Sequence, residues 1–414
     1  MGSLAPVIKE PTTMLDKVSP VPVVPLEDLE SDPHGTFRRF RDAHPFAIMP
    51  LGGYIVLRYD DVASLARDPR LRATEIALPA QLGITNGALF DIFEHGMLTA
   101  NGDVHRRRRS ALSRALVENV AQRYRAHVRR SAQVLLDSTY AEGELRLVRD
   151  YAAKLPAMGL ASLLGIPNLE VPAFIRDVEA MNAFFRPDVT PEIVAAAEAA
   201  AGRVRHTIEE LAGRNHDERD NDFVPAYLDA AQNQQGHSRI EALIQIVQLI
   251  IGGTESIRIA IVAQTANLMA HPRLWNSVCA DPKLVAPAVS EALRFEPGIA
   301  GLVRISTDDI LIGEHVLPAG ELVVLSLMSA LRDERKFERP DDFDIFRQDG
   351  GLSNLVFGAG AHKCIADAFG RAALEEALSA LTERLPHACL VRPPVFQGYV
   401  FVRASSECRI AWVP

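Results

Sequence analysis

Residues 243–269 form the most apolar window of the chain, and Gln245, Gln248, Glu255 and Arg258 interrupt it. A membrane span would be an almost unbroken run of apolar side chains. This stretch instead has the character of a helix buried on every side in protein, with partners for its few polar groups. A helical pattern over residues 239–269 therefore predicts a buried core helix and not a membrane span. Gly252-Gly253-Thr254-Glu255-Ser256 lies inside it. Each mid-helix glycine costs about 1 kcal/mol relative to alanine, and a buried glutamate costs more unless paired. Either the glycines let another helix cross closely while Glu255 reaches a surface partner, or the position serves a site.

The rest of the chain is mainly helical in period. Residues 104–166, 172–185, 191–211, 287–295 and 365–385 carry helical spacing, and 60–67 a short helix. Strand-like runs are fewer: 46–49 and 54–59 as a hairpin about Gly52-Gly53, then 301–305, 310–312, 322–325, 399–403 and 409–413. Residues 76–98 look like a loop, 214–222 like a charged connector, and 332–354 like a weakly structured charged stretch. A Pro-rich, polar N-terminal arm occupies residues 1–27. There is no βαβα alternation. The fold class expected is mainly α with a smaller β-rich lobe, as one domain over residues 28–414, because motifs near both ends must meet.

Composition excludes some functions. The net charge of −9 argues against a general nucleic-acid binder. Four cysteines, Cys279, Cys364, Cys389 and Cys408, show neither metal-clip spacing nor a disulfide framework, which suits a reducing, cytoplasmic setting. The first twenty residues contain no apolar stretch of signal-peptide or anchor length.

The most restrictive local pattern is Phe357-Gly358-Ala359-Gly360-Ala361-His362-Lys363-Cys364-Ile365-Ala366. Two glycines permit a tight, bulged backbone. Cys364 stands at the start of the next helical pattern, where free amides and the helix dipole favour a thiolate. An arbitrary Gly-x-His-x-Cys is most often a buried free cysteine in a glycine turn. The full spacing of Phe357, Gly358, Gly360, His362 and Cys364 resembles the haem-binding loop of the cytochrome P-450 family, with Ala366 where that family usually has glycine. The resemblance implies a prism-shaped P-450 fold with haem b between the Gly252 helix and this loop. It implies Cys364 as iron ligand, Phe357 beside the sulfur, and His362 toward a propionate.

Four further motifs follow in the family's order. Glu291-Ala292-Leu293-Arg294 puts an acid and a base on one helical face, which alone is usually a solvated pair. By resemblance, Glu291 and Arg294 form a structural ion-pair network with Arg347 as its third member. The segment Gly252 to Ser256 resembles the oxygen-activating motif: Gly252 would open a groove for dioxygen, and Glu255 and Ser256 would deliver protons, with Ser256 in place of the usual threonine. His105-Arg106-Arg107-Arg108-Arg109 is either a nucleic-acid-binding or solvated basic patch or, by resemblance, a helix whose His105 and Arg109 meet the haem propionates together with Arg304 and His362. The remaining Arg106, Arg107 and Arg108, with Lys363, would dock an acidic donor.

The reaction the resemblance implies is insertion of one oxygen atom from dioxygen into a C–H bond, giving hydroxylation or O-dealkylation of a small, largely apolar molecule. Electrons would come from NAD(P)H through a ferredoxin or flavodoxin-type donor and its reductase. Pocket walls are expected from Phe90, Phe93, Leu98, Phe184, Phe185, Gln248, Ile299, Ala300, Leu302, Val400 and Phe401, each of which is ordinary core on the simpler view. A haem-thiolate enzyme of oxidative-coupling or peroxide-driven type, and a non-enzymatic haem sensor, are the alternatives.

Overall fold

The computed structural model describes residues 20–50, 52–186, 189–214, 223–234, 236–349 and 355–414. Residues 1–19 of the expected arm, 215–222 of the connector and the end of the charged stretch lie outside them.

The chain enters through α1 (Leu26–Ser31), α2 (Pro33–Ala43) and the hairpin β1 (Phe46–Ile48) and β2 (Tyr54–Val56). Gly52 and Gly53 both have positive φ, +91° and +77°, which is why the turn needs them. α3 (Tyr59–Leu65), β3 (Leu71–Arg72), α4 (Ala77–Gln81) and α5 (Ala88–His95) lead into the helical lobe. That lobe holds α6 (Gly102–Ala115), α7 (Glu118–Thr139), β4 (Glu144–Arg146), α8 (Leu155–Leu164), α9 (Val171–Asn182), α10 (Pro191–Gly213) and α11 (Phe223–Asp229). Next come α12 (Arg239–Gly252), α13 (Glu255–Met269), α14 (Pro272–Ala280) and α15 (Val285–Phe295). The chain then forms β5 (Gly301–Ser306), β6 (Ile310–Ile312), β7 (His315–Leu317), β8 (Leu322–Ser326) and α16 (Leu327–Ala330). It ends with α17 (Asp367–Arg384), β9 (Cys389–Arg392), β10 (Phe396–Gln397), β11 (Ala404–Ser405) and β12 (Arg409–Ala411).

α12 and α13 run through the main core, where Ile246, Ile250 and Ile261 join Leu112 of α6, Leu136 of α7 and Leu378 of α17 in one cluster. Segment 239–269 is long and apolar enough to cross a membrane, yet 78% of its most apolar window is buried inside the protein. The smaller lobe is a five-stranded sheet in the order β1-β2-β8-β5-β3, parallel only between β2 and β8. Its inward face packs Phe46, Val56, Val323 and Leu325 into a second cluster.

Several expected boundaries differ. Residues 76–98 are not a loop: α4 and α5 form there, because Leu89, Ile92 and Phe93 bury one face of α5. The helical run over 104–166 is broken by β4 and a π-helical turn, Leu147–Ala152, where Leu147 N–H bonds to Cys408 O and ties the chain to the C-terminal strands. The central helix divides at Gly253–Thr254. Residues 399–403 form only an isolated bridge, Ile299 to Val402, since Gly398 turns the chain at φ +91° and buried Arg403 is drawn onto Glu296. The arm also ends earlier than residue 27: Val24 N–H bonds Ile48 O at 2.9 Å and α1 starts at Leu26.

Candidate active site

The Cys364 loop is built as its glycines require. Gly358 and Gly360 have φ of +72° and +69°, and a Cβ on Gly360 would lie 2.4 Å from Ala66 O. Cys364 N–H donates to Phe357 O at 2.8 Å and closes the loop. α17 begins at Asp367, two residues later than the sequence pattern put it, so Cys364 lies just ahead of the helix. The thiol is exposed yet crowded by protein, which describes a concave wall. Burial pushes it up, against the Ala366 N–H, Arg109 and Lys363, which favour the thiolate. The helix terminus alone therefore does not make the anion. Phe357 is held in place by the Arg371 guanidinium, 4.8 Å from its ring centroid.

Groups from α6 and β5, distant along the chain, gather beside this loop and its own His362. His105 of α6 is buried with its ring centroid 4.1 Å from that of His362. Burial, then Arg109 and Arg304, brings His105 down to about 4. Burial, then His105, Arg304 and Arg109, brings His362 to about 3. Arg304, on β5, donates to Val303 O at 2.8 Å, and burial lowers its pKa. None of these four has an ion-pair partner among the described residues. Two guanidiniums without a counter-ion, flanked by two buried neutral imidazoles that can still donate, are a cradle for a dianion.

The central helix breaks between Gly252 and Glu255. A Cβ on Gly252 would meet nothing within 4 Å, so this turn borders open space. Ser256 Oγ donates to Gly252 O at 3.0 Å, while Thr254 Oγ1 donates to Ile250 O at 2.7 Å and accepts from Asn182. Gly298 admits the following chain against Ser256 O, which a Cβ there would approach to 2.5 Å. Glu255 is buried and paired with two guanidiniums, Arg186 at 3.1 Å and Arg258. The close-crossing reading holds only for Gly253, whose added Cβ would touch Leu160. Glu255 finds its partners inside the protein. Arg258, three residues on, was legible from helical spacing. Arg186 was not.

The pocket residues sort into three groups. Phe93, Phe184 and Phe185 meet as an aromatic cluster with centroids 5.2–6.1 Å apart, and Phe90, Ile299 and Leu302 are half-buried. Ala300 belongs to the β-lobe core with Val324 and Met328, and Leu98, Val400 and Phe401 are exposed. Gln248 does not present its amide to a ligand: it accepts from Leu98 N–H and donates to Ile92 O, both at 2.9 Å. Gln245 does likewise with Met97 and His95 at 2.8 Å. Sequence reasoning missed this stapling of the α5 segment, since any amide there satisfied the need for a buried partner.

Behind the loop, Glu291 takes a bidentate pair from Arg294, 2.8 Å to each oxygen, and Arg347 Nε at 3.2 Å. Arg294 also donates to Leu331 O and Pro340 O. The basic run is less free than its sequence suggested. Arg107 and Arg108 both bond Glu241, Arg106 pairs with Asp103, and Lys363 pairs with Asp367 at 3.0 Å. Arg108 is buried and faces no partner surface, because the Glu241 carboxylate and the Glu94 and Gly96 carbonyls take its guanidinium.

A cysteine on a concave wall, beside donors for two carboxylates, in a chain whose central helix breaks next to a small residue, defines the haem-thiolate class. Comparison with known proteins narrows this. The family model described as "Cytochrome P450" matches residues 175–390. The plant-inducible cytochrome P450-pinF1 of Rhizobium radiobacter is 34% identical over 392 residues, 94% of this chain and 92% of its own. Epothilone C/D epoxidase of Sorangium cellulosum is 28% identical over 376 residues, covering 89% of each chain. The solved epothilone B-bound cytochrome P450epoK superposes at a TM-score of 0.83 with 26% identity, covering 94% of this chain and 98% of that one. The chain belongs to the cytochrome P450 family of haem-dependent monooxygenases, which take electrons from a redox partner. Its residues fit haem b: a sulfur for the iron, and two arginines and two imidazoles for the carboxylates.

Proposed function

We propose that this chain inserts one oxygen atom from dioxygen into a C–H bond of a small, largely apolar natural-product scaffold. The observation that carries the assignment is the convergence of Cys364 with His105, Arg109, Arg304 and His362, four cationic or imidazole groups lacking a carboxylate of their own. When bound, the haem supplies the dioxygen chemistry, and a metal-bound thiol is deprotonated outright. Cys364 holds it by that bond, and the four donors hold it by its acid arms. Glu291, Arg294 and Arg347 keep the wall behind the loop in place. The aromatic cluster of Phe93, Phe184 and Phe185 excludes water and favours an apolar substrate. The relative named for epoxidising epothilones supports a substrate of natural-product type.

Gly252 leaves room beside the broken turn, and Ser256 presents its hydroxyl there. Glu255 exchanges protons with it through water once it swings from its guanidiniums. The absence of the threonine methyl lets Ser256 turn more freely. Such a relay serves dioxygen and not peroxide. An acidic ferredoxin is the proposed electron donor, approaching near Cys364 over exposed Lys363 and Arg106.

The test is the carbon monoxide difference spectrum of the reduced protein from haem-replete cells. Wild type shows the thiolate-type band and Cys364→Ala loses it. An unchanged spectrum in Cys364→Ala would end the reading. Labelled dioxygen appearing in product then separates oxygen insertion from peroxide-driven or coupling chemistry.

A further inference from the structure

A second cleft, of about 1310 Å³, opens between α7, the 147–154 segment, α8 and α9. None of its lining residues belongs to the Cys364 loop or the four-donor cradle. Arg123 and Arg130 line it from α7, Arg149 and Lys154 from the 147–154 segment, Arg176 from α9 and Arg258 from α13. Among the described residues of the lining, Glu179 is the only carboxylate. Arg123, Arg149, Lys154 and Arg176 have no ion pair among the described residues, in a chain whose net charge is −9. The two faces of α7 make the contrast plain. Arg125 and Arg129 on one face are matched by Glu375, Glu376 and Glu383. On the cleft face no acidic residue of α17 answers Arg123 and Arg130. Burial, then Arg130 and Arg123, lowers the pKa of His127 between them.

The cations come from four elements, α7, the 147–154 segment, α9 and α13, so a ligand in the cleft meets charge from several of them. A single negative charge would leave most of them unmatched. Guanidiniums suit phosphate oxygens, which they bind in pairs. Met158, Ile166 and Ile175 add an apolar share to the lining. Arg258 is the wall nearest the chemistry. It bonds Glu255, and its Nε is buried without a hydrogen-bond acceptor.

We propose that this cleft binds an organic polyphosphate, two or more phosphate groups on a partly apolar body, and that its occupant draws Arg258 off Glu255. The second half rests on the reading of Glu255 as a proton relay; the binding half does not. Anions in the cleft compete with Glu255 for one guanidinium, leaving Glu255 held by Arg186 alone and readier to swing.

Titration calorimetry of the holoenzyme with ATP and with inorganic tripolyphosphate tests it, alongside the surface variant Arg149→Glu/Lys154→Glu. Binding to wild type, weakened about tenfold or more in the variant, is expected. No binding, or equal binding to the variant, overturns the site. Cleft-dependent capture of a poly-glutamate peptide without ATP binding overturns the ligand class in favour of an acidic protein. The coupling is read from the solvent isotope effect on reductant-driven oxygen uptake, which falls when tripolyphosphate is added and is indifferent to it in Arg258→Gln. Cleft-dependent binding with an unmoved isotope effect keeps the site and overturns its link to Glu255.

Discussion

At Glu291, one carboxylate accepts from Arg294, Arg347 and the Asp344 N–H, and all of it is out of water. A buried pair of this kind contributes little over an apolar substitute, but removing one member strands the other's charge. Arg294 has no exposed surface. Glu291→Gln is therefore expected to cost about 3–5 kcal/mol, seen as a lower urea midpoint. Arg347→Lys, which keeps the charge and loses backbone bonds, is expected to cost only about 1–2 kcal/mol. Equal losses for the two would show that charge is not what matters there. The spacing of Glu291 and Arg294 was readable in the sequence. Their role was not, since nothing local distinguishes a solvated pair from one sealed by Leu331, Pro340 and Asp342.

At the level of elements, the start of α12 shows how one helix end organises its neighbours. Ser238 and Glu241 form a capping box, and Glu241 also receives Arg107 and Arg108 from α6. Burial works to raise Glu241, but the Arg107, Ser238 and Arg108 hydrogen bonds prevail and bring it down from 4.5 to about 2. A depressed carboxylate stabilises the fold at pH values above its unfolded pKa and ceases to do so as pH falls through the folded one. The contribution, at most about 3 kcal/mol, should fade between pH about 4.5 and about 2. Glu241→Gln should flatten the stability–pH curve in that window, measured by urea unfolding; an unaltered slope would show that the clamp is not what acid disrupts. α5 depends on the same neighbours. Glu198 of α10 accepts from Ala88 and Leu89 N–H, Arg205 pairs with Asp91, and Gln245 and Gln248 hold the far end. Alone, residues 76–98 have no clear period, so the helix was invisible until its partners were in place.

Across the whole molecule, α6, β5, the Cys364 loop and the central helix come together around a group that the family always carries. With the haem's acid arms present, His105, Arg109, Arg304 and His362 are counterbalanced. Without them the charges of Arg109 and Arg304 go unanswered beside two buried, neutral imidazoles. Removing haem should raise hydrogen exchange in α6, β5 and residues 357–364, while α13 and α17 stay protected by the core around Ile261 and Leu378. Uniform exchange in both forms would mean that the cradle is held by its own packing.

The sequence by itself determined the chemistry and the fold class, because the haem loop and the central helix each need particular residue types at short, fixed spacings. It marked Cys364, the two glycines before it, Gly252 within the apolar helix and the strand runs of the β-lobe; the break of that helix was left to the structure. Only the tertiary structure decided which charges are spent. Arg107, Arg108, Gln245, Gln248 and Glu255 are ordinary polar residues until the fold puts Glu241, the α5 backbone, Arg186 and Arg258 within bonding distance. Burial makes a satisfied polar group and an available one look alike in sequence, and the difference lies wholly in partners that are far away along the chain.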